Sequence, residues 1–241
     1  MSNKIALVTG GNKGIGLEIC RQLGQQGYTV LVGARNEKRG QEAVSQLEEE
    51  GIKAQFLQID MTDSSTFAPA AAYIEENFGH LDALVNNAGV GLDWDKNVGN
   101  VPMDAVRQTF EINYFGQIEL TQHLIPLLKK SQAGRIVNHS SILGSIGIRH
   151  MPEHSWIKNI KSVAYNSSKA ALNSFTVHLA EHLEDNNIKV NAAHPGSVKT
   201  DMNPAGDLDI PTGAKTAVTL ATLPDDGPTG GFFHLGQPLP W

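Results

Sequence analysis

Cysteine is almost missing from this chain of 241 residues: Cys20 stands alone, so no disulfide can form within it, and a reducing compartment suits it. Long apolar runs are missing too. Ile5-Ala6-Leu7-Val8 is far too short for a secretory leader or a membrane span, and no other run approaches the ~18 residues a span needs. The expectation is a soluble, cytoplasmic protein with no membrane partner. Basic charge is outnumbered: 19 Lys and Arg face 25 Asp and Glu, a formal net charge of −6, which argues against a general nucleic-acid binder. Low-complexity tracts, repeats and linker-like stretches are absent, so one domain over residues 1–241 is the expected organisation. A domain of this length buries roughly three-quarters of its unfolded surface and needs no metal or disulfide to hold it.

What the chain does have is glycine, 24 residues of it, in an otherwise ordinary composition (40% hydrophobic, 18% charged). The runs at 5–9, 29–33, 54–59, 83–85, 135–138, 189–193 and 231–235 are mostly continuous in Val, Ile, Leu and Phe, the pattern of strands covered on both faces. Between them, 14–26, 37–50, 64–78, 103–130, 165–186 and 212–222 follow a helical period. Gly27, Gly51, Gly79 and Gly134 fall where helix C-cap glycines sit. The alternation predicts an α/β fold: a single-domain Rossmann architecture with a seven-stranded, mostly parallel, doubly wound sheet and helices on both faces. Residues 142–163 break the rhythm and read as an irregular loop or short lid on the ligand side.

The first run leads straight into Thr9-Gly10-Gly11-Asn12-Lys13-Gly14-Ile15-Gly16 and then a helix. Glycine there allows a tight turn and close approach of a pyrophosphate to the backbone, while helix N-terminal amides supply partial positive charge. A plain tight turn is the competing reading; the position after the first strand favours a dinucleotide. The second strand ends in Val32-Gly33-Ala34-Arg35. An NAD site presents a carboxylate here for the ribose hydroxyls, and none occurs before Glu37. Arg35 can pair instead with a 2′-phosphate, with Lys13 as a second cation, so NADP(H) is the expected cofactor. The competing reading of Arg35 is a solvated surface charge. Asp60 closes the third strand, where it either reaches the adenine amino group or caps a turn.

Tyr165-Asn166-Ser167-Ser168-Lys169 opens the long helix, and positions i and i+4 share one helix face. A free phenol titrates near pH 10; bringing it to neutrality takes about 3 pH units, roughly 4 kcal/mol in favour of the phenolate. A fixed cation nearby, together with the positive charge of an oxidised nicotinamide, has the right sign to lower it. Ser141 follows the fifth strand, at the carboxyl edge where open α/β sheets place ligands, and its hydroxyl can donate to a carbonyl oxygen. Ser140, one residue earlier, would point elsewhere.

Taken in order, the glycine loop, Asn86-Asn87-Ala88-Gly89, Asn113, Ser141, the Tyr165–Lys169 pair and Pro195-Gly196 resemble the short-chain dehydrogenase/reductase family, over essentially the whole chain. The glycine loop, Ala34-Arg35 and Gly230-Gly231-Phe232-Phe233 are most similar to its NADPH-dependent carbonyl reductases. The resemblance implies an oxidoreductase that reduces a small-molecule ketone or aldehyde to the alcohol, reversibly. Tyr165 would be the general acid, Lys169 would lower its pKa and bind the nicotinamide ribose, and Ser141 would orient the carbonyl. Asn113 would hold a water in a relay through Lys169. Gly10, Asn12, Lys13, Gly14, Ile15, Gly16, Arg35, Asp60 and Met61 would contact the cofactor. Asn87, with Ala88 and Gly89, would line the adenosine ribose, Asn86 bracing the strand. Pro195, Gly196, Val198 and Thr200 would meet the carboxamide or pyrophosphate. No metal is called for. The rival reading is an NADP-binding sensor or regulator without turnover, which would typically have lost the Tyr, the Lys or the Ser.

Two departures stand out. Ser141 lies farther from Tyr165 than the family usually has, the excess falling around 151–161, which leaves monomer, dimer and tetramer all open. The stretch 201–211 leaves little room for a covering helix, so an open pocket is expected, with Met151, His154 and Trp156 as walls. His178-Leu179-Ala180-Glu181-His182 matches an inverted zinc-protease pattern but has no third ligand region beside it. Asp93-Trp94-Asp95 reads as a solvated turn or a rim of the substrate mouth, and His194 as a packed strand-end histidine.

Overall fold

The computed structural model describes residues 4–241. The chain runs β1 (Lys4–Thr9), α1 (Gly14–Gln25), β2 (Tyr28–Ala34), α2 (Glu37–Glu49), β3 (Ala54–Gln58), α3 (Phe67–Phe78) and β4 (Ala83–Asn86). It continues through α4 (Met103–Phe110), α5 (Gly116–Leu128), β5 (Arg135–His139), α6 (Ile146–His150), α7 (Val163–His182) and β6 (Lys189–Ala193). The last elements are α8 (Ile210–Ala221), β7 (Phe232–His234) and β8 (Gln237–Pro238). The strands stand in the order β3-β2-β1-β4-β5-β6-β7-β8, parallel up to β7. β8 then turns back antiparallel on β7, an eighth strand beyond the seven expected. It is two residues long and carries no apolar run that could announce it.

Successive residues of the central strands feed two separate cores, as strand pleating requires. Ile5, Leu7, Leu84, Ile136 and Val190 pack with Ile74 of α3, Leu124 of α5 and Leu179 of α7. Ala6, Val8, Val85, Val137 and Ala193 pack on the other face with Ile19 of α1, Val44 of α2 and Ala217 of α8. The strand order reverses between β1 and β4, and such a reversal opens a crevice at the carboxyl ends of the two strands.

The helical period over 103–130 is broken in the structure: a π-helical turn, Glu111–Phe115, separates α4 from α5. Such turns gather at functional sites. Residues 142–163 prove to be short helical pieces, Ile142–Gly144, α6 and Pro152–Asn159, anchored by the buried side chains of Ile148 and Ile157. The C-terminal segment braces them. Gly147 N donates to Trp241 O (2.9 Å), Ser145 Oγ donates to Pro240 O (2.8 Å), and the Trp241 ring stacks on Phe232. Gly27, Gly51 and Gly79 take the left-handed conformation expected of caps, whereas Gly134 does not: a Cβ there would sit 2.8 Å from Ile188 Cγ1. Close packing, not a cap, explains it.

Beneath the carboxyl edge runs a buried polar ladder. Asn86 Nδ2 donates to Asn138 Oδ1 (2.9 Å) and Thr121 Oγ1 (3.0 Å), and Asn138 Nδ2 donates to Thr176 Oγ1 (2.9 Å). It joins β4 and β5 to α5 and α7 at side chains with no solvent exposure. Among the described residues, no helix is long and apolar enough to cross a membrane.

Candidate active site

Thr9 stitches the crevice together. Its Oγ1 accepts from the backbone N–H groups of Asn87 and Ala88 (3.0 Å each), and Asn87 Nδ2 donates to Thr9 O (2.9 Å). The chain then needs glycine: Gly10 and Gly14 have φ of +64° and +54°, and a Cβ on Gly16 would lie 2.2 Å from Gly10 O. α1 starts with no side-chain cap at Lys13, whereas Asn36 and Asp209 cap α2 and α8. Its first-turn amides therefore lack a side-chain acceptor, the vacancy that a pyrophosphate fits. Arg35 is exposed just past β2 and pairs with no carboxylate among the described residues. These features fit a dinucleotide.

Other expected cofactor residues have partners within the protein. Lys13 Nζ meets Asp201 Oδ2 at 2.6 Å. Asp60 Oδ1 accepts from Thr62 N (3.0 Å) and Thr62 Oγ1 (2.8 Å), the turn-capping alternative. Asn86 belongs to the ladder, and Asn87 holds the glycine loop. The side chains of Met61 and Val198 are buried, Met61 in the core and Val198 against Gly213, while Ile15 packs partly on the core. Asn12, Ala88, Gly89 and Pro195 are half-buried around the crevice rim. Gly196 has φ +89°, and Thr200 closes a turn with Asn203.

α7 carries Tyr165 and Lys169 one turn apart. Lys169 is 4% exposed, its Nζ donates to His139 O (2.7 Å) and stands 5.8 Å from the Tyr165 ring centroid. Burial pulls the ammonium down to about 8. Burial pushes the Tyr165 phenol up to about 12, and the nearby Ser141 hydroxyl pulls against it. Ser141 Oγ accepts from Leu143 N (3.2 Å), while Ser140 Oγ turns away to Asn173 Oδ1 (2.5 Å).

Asn113 lies in the π-helical turn, fully buried. Its Oδ1 accepts from Val90 N (2.8 Å), and its Nδ2 donates to Val90 O (2.8 Å) and Ser168 Oγ (3.1 Å). The amide thus clamps the loop behind β4 to α7. Gly89 lies between Asn113 and Lys169: a Cβ there would be 3.4 Å from Asn113 Oδ1 and 3.5 Å from Lys169 Nζ.

The sequence reading missed Asp93, which is no solvated turn. It is fully buried, and its carboxylate accepts from Ser162 Oγ (2.6 Å), Ala164 N (2.6 Å) and Tyr165 N (3.3 Å). Asp93 caps α7 from another part of the chain, so no local capping pattern could reveal it. Beside it, the Trp94 ring lies 5.1 Å from the Tyr165 ring, centroid to centroid. His139 and His194 are buried at the ends of β5 and β6, and burial holds both pKa values down to about 3. His178 and Glu181 of the zinc-like pattern meet at the surface (3.4 Å).

Comparison with known proteins gives a consistent result. The family model described as short chain dehydrogenase matches residues 4–209. Short-chain dehydrogenase/reductase 1 of Saponaria officinalis is 36% identical, over 99% of this chain and 96% of its own length. The structure of salutaridine reductase from Papaver somniferum superposes with a TM-score of 0.83 at 33% identity, covering 97% of this chain and 100% of that one. NADPH-bound carbonyl reductase from chicken fatty liver superposes with a TM-score of 0.87 at 26% identity, with 100% of both chains covered.

Proposed function

This chain belongs to the short-chain dehydrogenase family, and we propose on that footing that it is an NADPH-dependent reductase of a ketone or aldehyde, reversible toward the alcohol. The observation that carries the reading is the gathering of Ser141, just past β5, with Tyr165 and buried Lys169 one turn apart on α7, the Lys169 Nζ held on His139 O at the carboxyl edge of β5. The reduced nicotinamide, when bound, supplies hydride to the carbonyl carbon. Tyr165 keeps its proton at neutral pH, since its pKa stands near 12, and gives that proton to the carbonyl oxygen. Ser141 holds the same oxygen by hydrogen bond and fixes the phenol's direction. Lys169, anchored on His139 O, sets positive charge beneath the phenol and is the residue to hold the nicotinamide ribose. Asn113 positions α7 through Ser168 and Val90. The preference for NADP(H) is supported by the unpaired Arg35 past β2 and by the likeness to an NADPH-bound carbonyl reductase. One domain carries both cofactor and catalytic residues, and the lone buried Cys20 suits the cytoplasm.

The test is NADPH oxidation over aldehydes, aryl ketones, quinones and diketones, with Tyr165→Phe as control. Turnover that the substitution abolishes is the expected result. Stoichiometric NADPH binding with no turnover on any of these carbonyls would favour the sensor instead.

A further inference from the structure

We infer that Trp94 is a substrate-contacting wall of the site and selects ring-bearing carbonyl compounds over open-chain ones, an inference that rests on Tyr165 as the proton donor proposed above. The indole is 37% exposed and lies against the Tyr165 ring at an interplanar angle of 42°. Part of its surface therefore covers the phenol and part is open to whatever approaches it. Leu92, two residues earlier, is exposed as well, whereas Asp93 between them is buried. The loop thus turns its apolar side chains outward around a polar anchor.

That anchor ties Trp94 to the catalytic helix. Asp93 binds Ser162 Oγ and the backbone amides of Ala164 and Tyr165, so the residue next to Trp94 is bonded to the residue that would donate the proton. Lys96, two residues after Trp94, forms a backbone bridge with Ser162. Gly91 completes the seat: a Cβ there would lie 2.5 Å from the Trp94 ring, so the backbone passes directly against the indole. Trp94 is held at a fixed place relative to the phenol instead of drifting with a mobile loop. A carbonyl oxygen in hydrogen-bond reach of Tyr165 has its substituents beside this indole. A flat ring there gains an aromatic contact that a flexible chain cannot match without losing rotamer freedom.

The experiment compares kcat/KM for tetralone and decanone, two ketones of equal carbon number, in the wild type, Trp94→Phe and Trp94→Ala. Trp94→Ala is expected to lower kcat/KM for tetralone roughly fivefold or more while leaving decanone within about twofold, and Trp94→Phe to restore most of the loss. Equal losses on both ketones, or none on tetralone, overturn the assignment. A second readout is free of turnover. With Trp156→Phe and Trp241→Phe, Trp94 is the sole tryptophan of a chain that has three. Tetralone should then quench its emission at concentrations where decanone does not. Quenching without turnover of any carbonyl supports the wall and defeats the reductase reading; turnover without selective quenching defeats the wall alone.

Discussion

Lys13 Nζ and Asp201 Oδ2 stand 2.6 Å apart, so an ion pair joins the glycine loop to the segment behind β6. Both side chains are well exposed, and a pair of that kind adds little to stability. Its interest lies in competition: Asp201 occupies the ammonium that a 2′-phosphate would otherwise use beside Arg35.

Asp201→Asn should therefore tighten NADPH binding a few-fold and leave NADH nearly unchanged, while Arg35→Ala should weaken NADPH by about 1.5–3 kcal/mol. Fluorescence titration with both reduced cofactors checks this. If Arg35→Ala weakens the two cofactors equally, Arg35 does not read the phosphate.

Tyr165→Phe should cost about 10²–10⁴ in kcat, the usual reach of a positioned proton donor, with little change in Tm. Lys169→Met should also abolish activity yet stabilise the fold near pH 7. The buried ammonium titrates at about 8 against an ordinary 10.5, an upper bound of ~3 kcal/mol of burial cost. Because the unfolded chain binds this proton more tightly, wild-type stability rises with pH between about 8 and 10.5. The advantage of Lys169→Met should shrink across that window. Urea unfolding at pH 7 and pH 10 measures it, and a variant less stable at pH 7 would mean that the Nζ–His139 O bond outweighs burial.

His139 and His194 give a slope of the same sign, at low pH. Each is held down to about 3 from 6.5, chiefly by burial, so the unfolded chain takes up protons first as pH falls. Stability should be intact above about pH 6.5 and drain away steadily toward pH 3. Replacing His139 by Gln should flatten that decline in a urea series from pH 7 to pH 4. An unchanged slope would show that this imidazole does not carry it.

Asp93→Ala removes an acceptor from three donors at the start of α7, and should cost about 1–3 kcal/mol with a fall in kcat larger than the change in KM. Asp93→Asn, which keeps one acceptor oxygen, should lose less. Thermal unfolding and steady-state kinetics on the two variants separate a capping role from none.

The strands, the glycine loop and the Tyr165–Lys169 spacing were legible because each depends on residues near one another in sequence. Parallel strands buried on both faces announce themselves as apolar runs. β8, by contrast, is made by pairing with β7 and has no apolar signature of its own. Asp93 looked like part of an exposed acidic turn because its three partners come from residues 162–165.

The ladder of Asn86, Asn138, Thr121 and Thr176 has a dynamic consequence. Opening any one of its contacts strands an amide or hydroxyl in a place that water does not reach, at about 1–3 kcal/mol for each group. β4, β5, α5 and α7 should therefore open as one cooperative unit, their amides exchanging with solvent at a shared slow rate while the loops above them exchange freely. The rigid floor of the catalytic edge is in this sense polar, and its fluctuations are all-or-none.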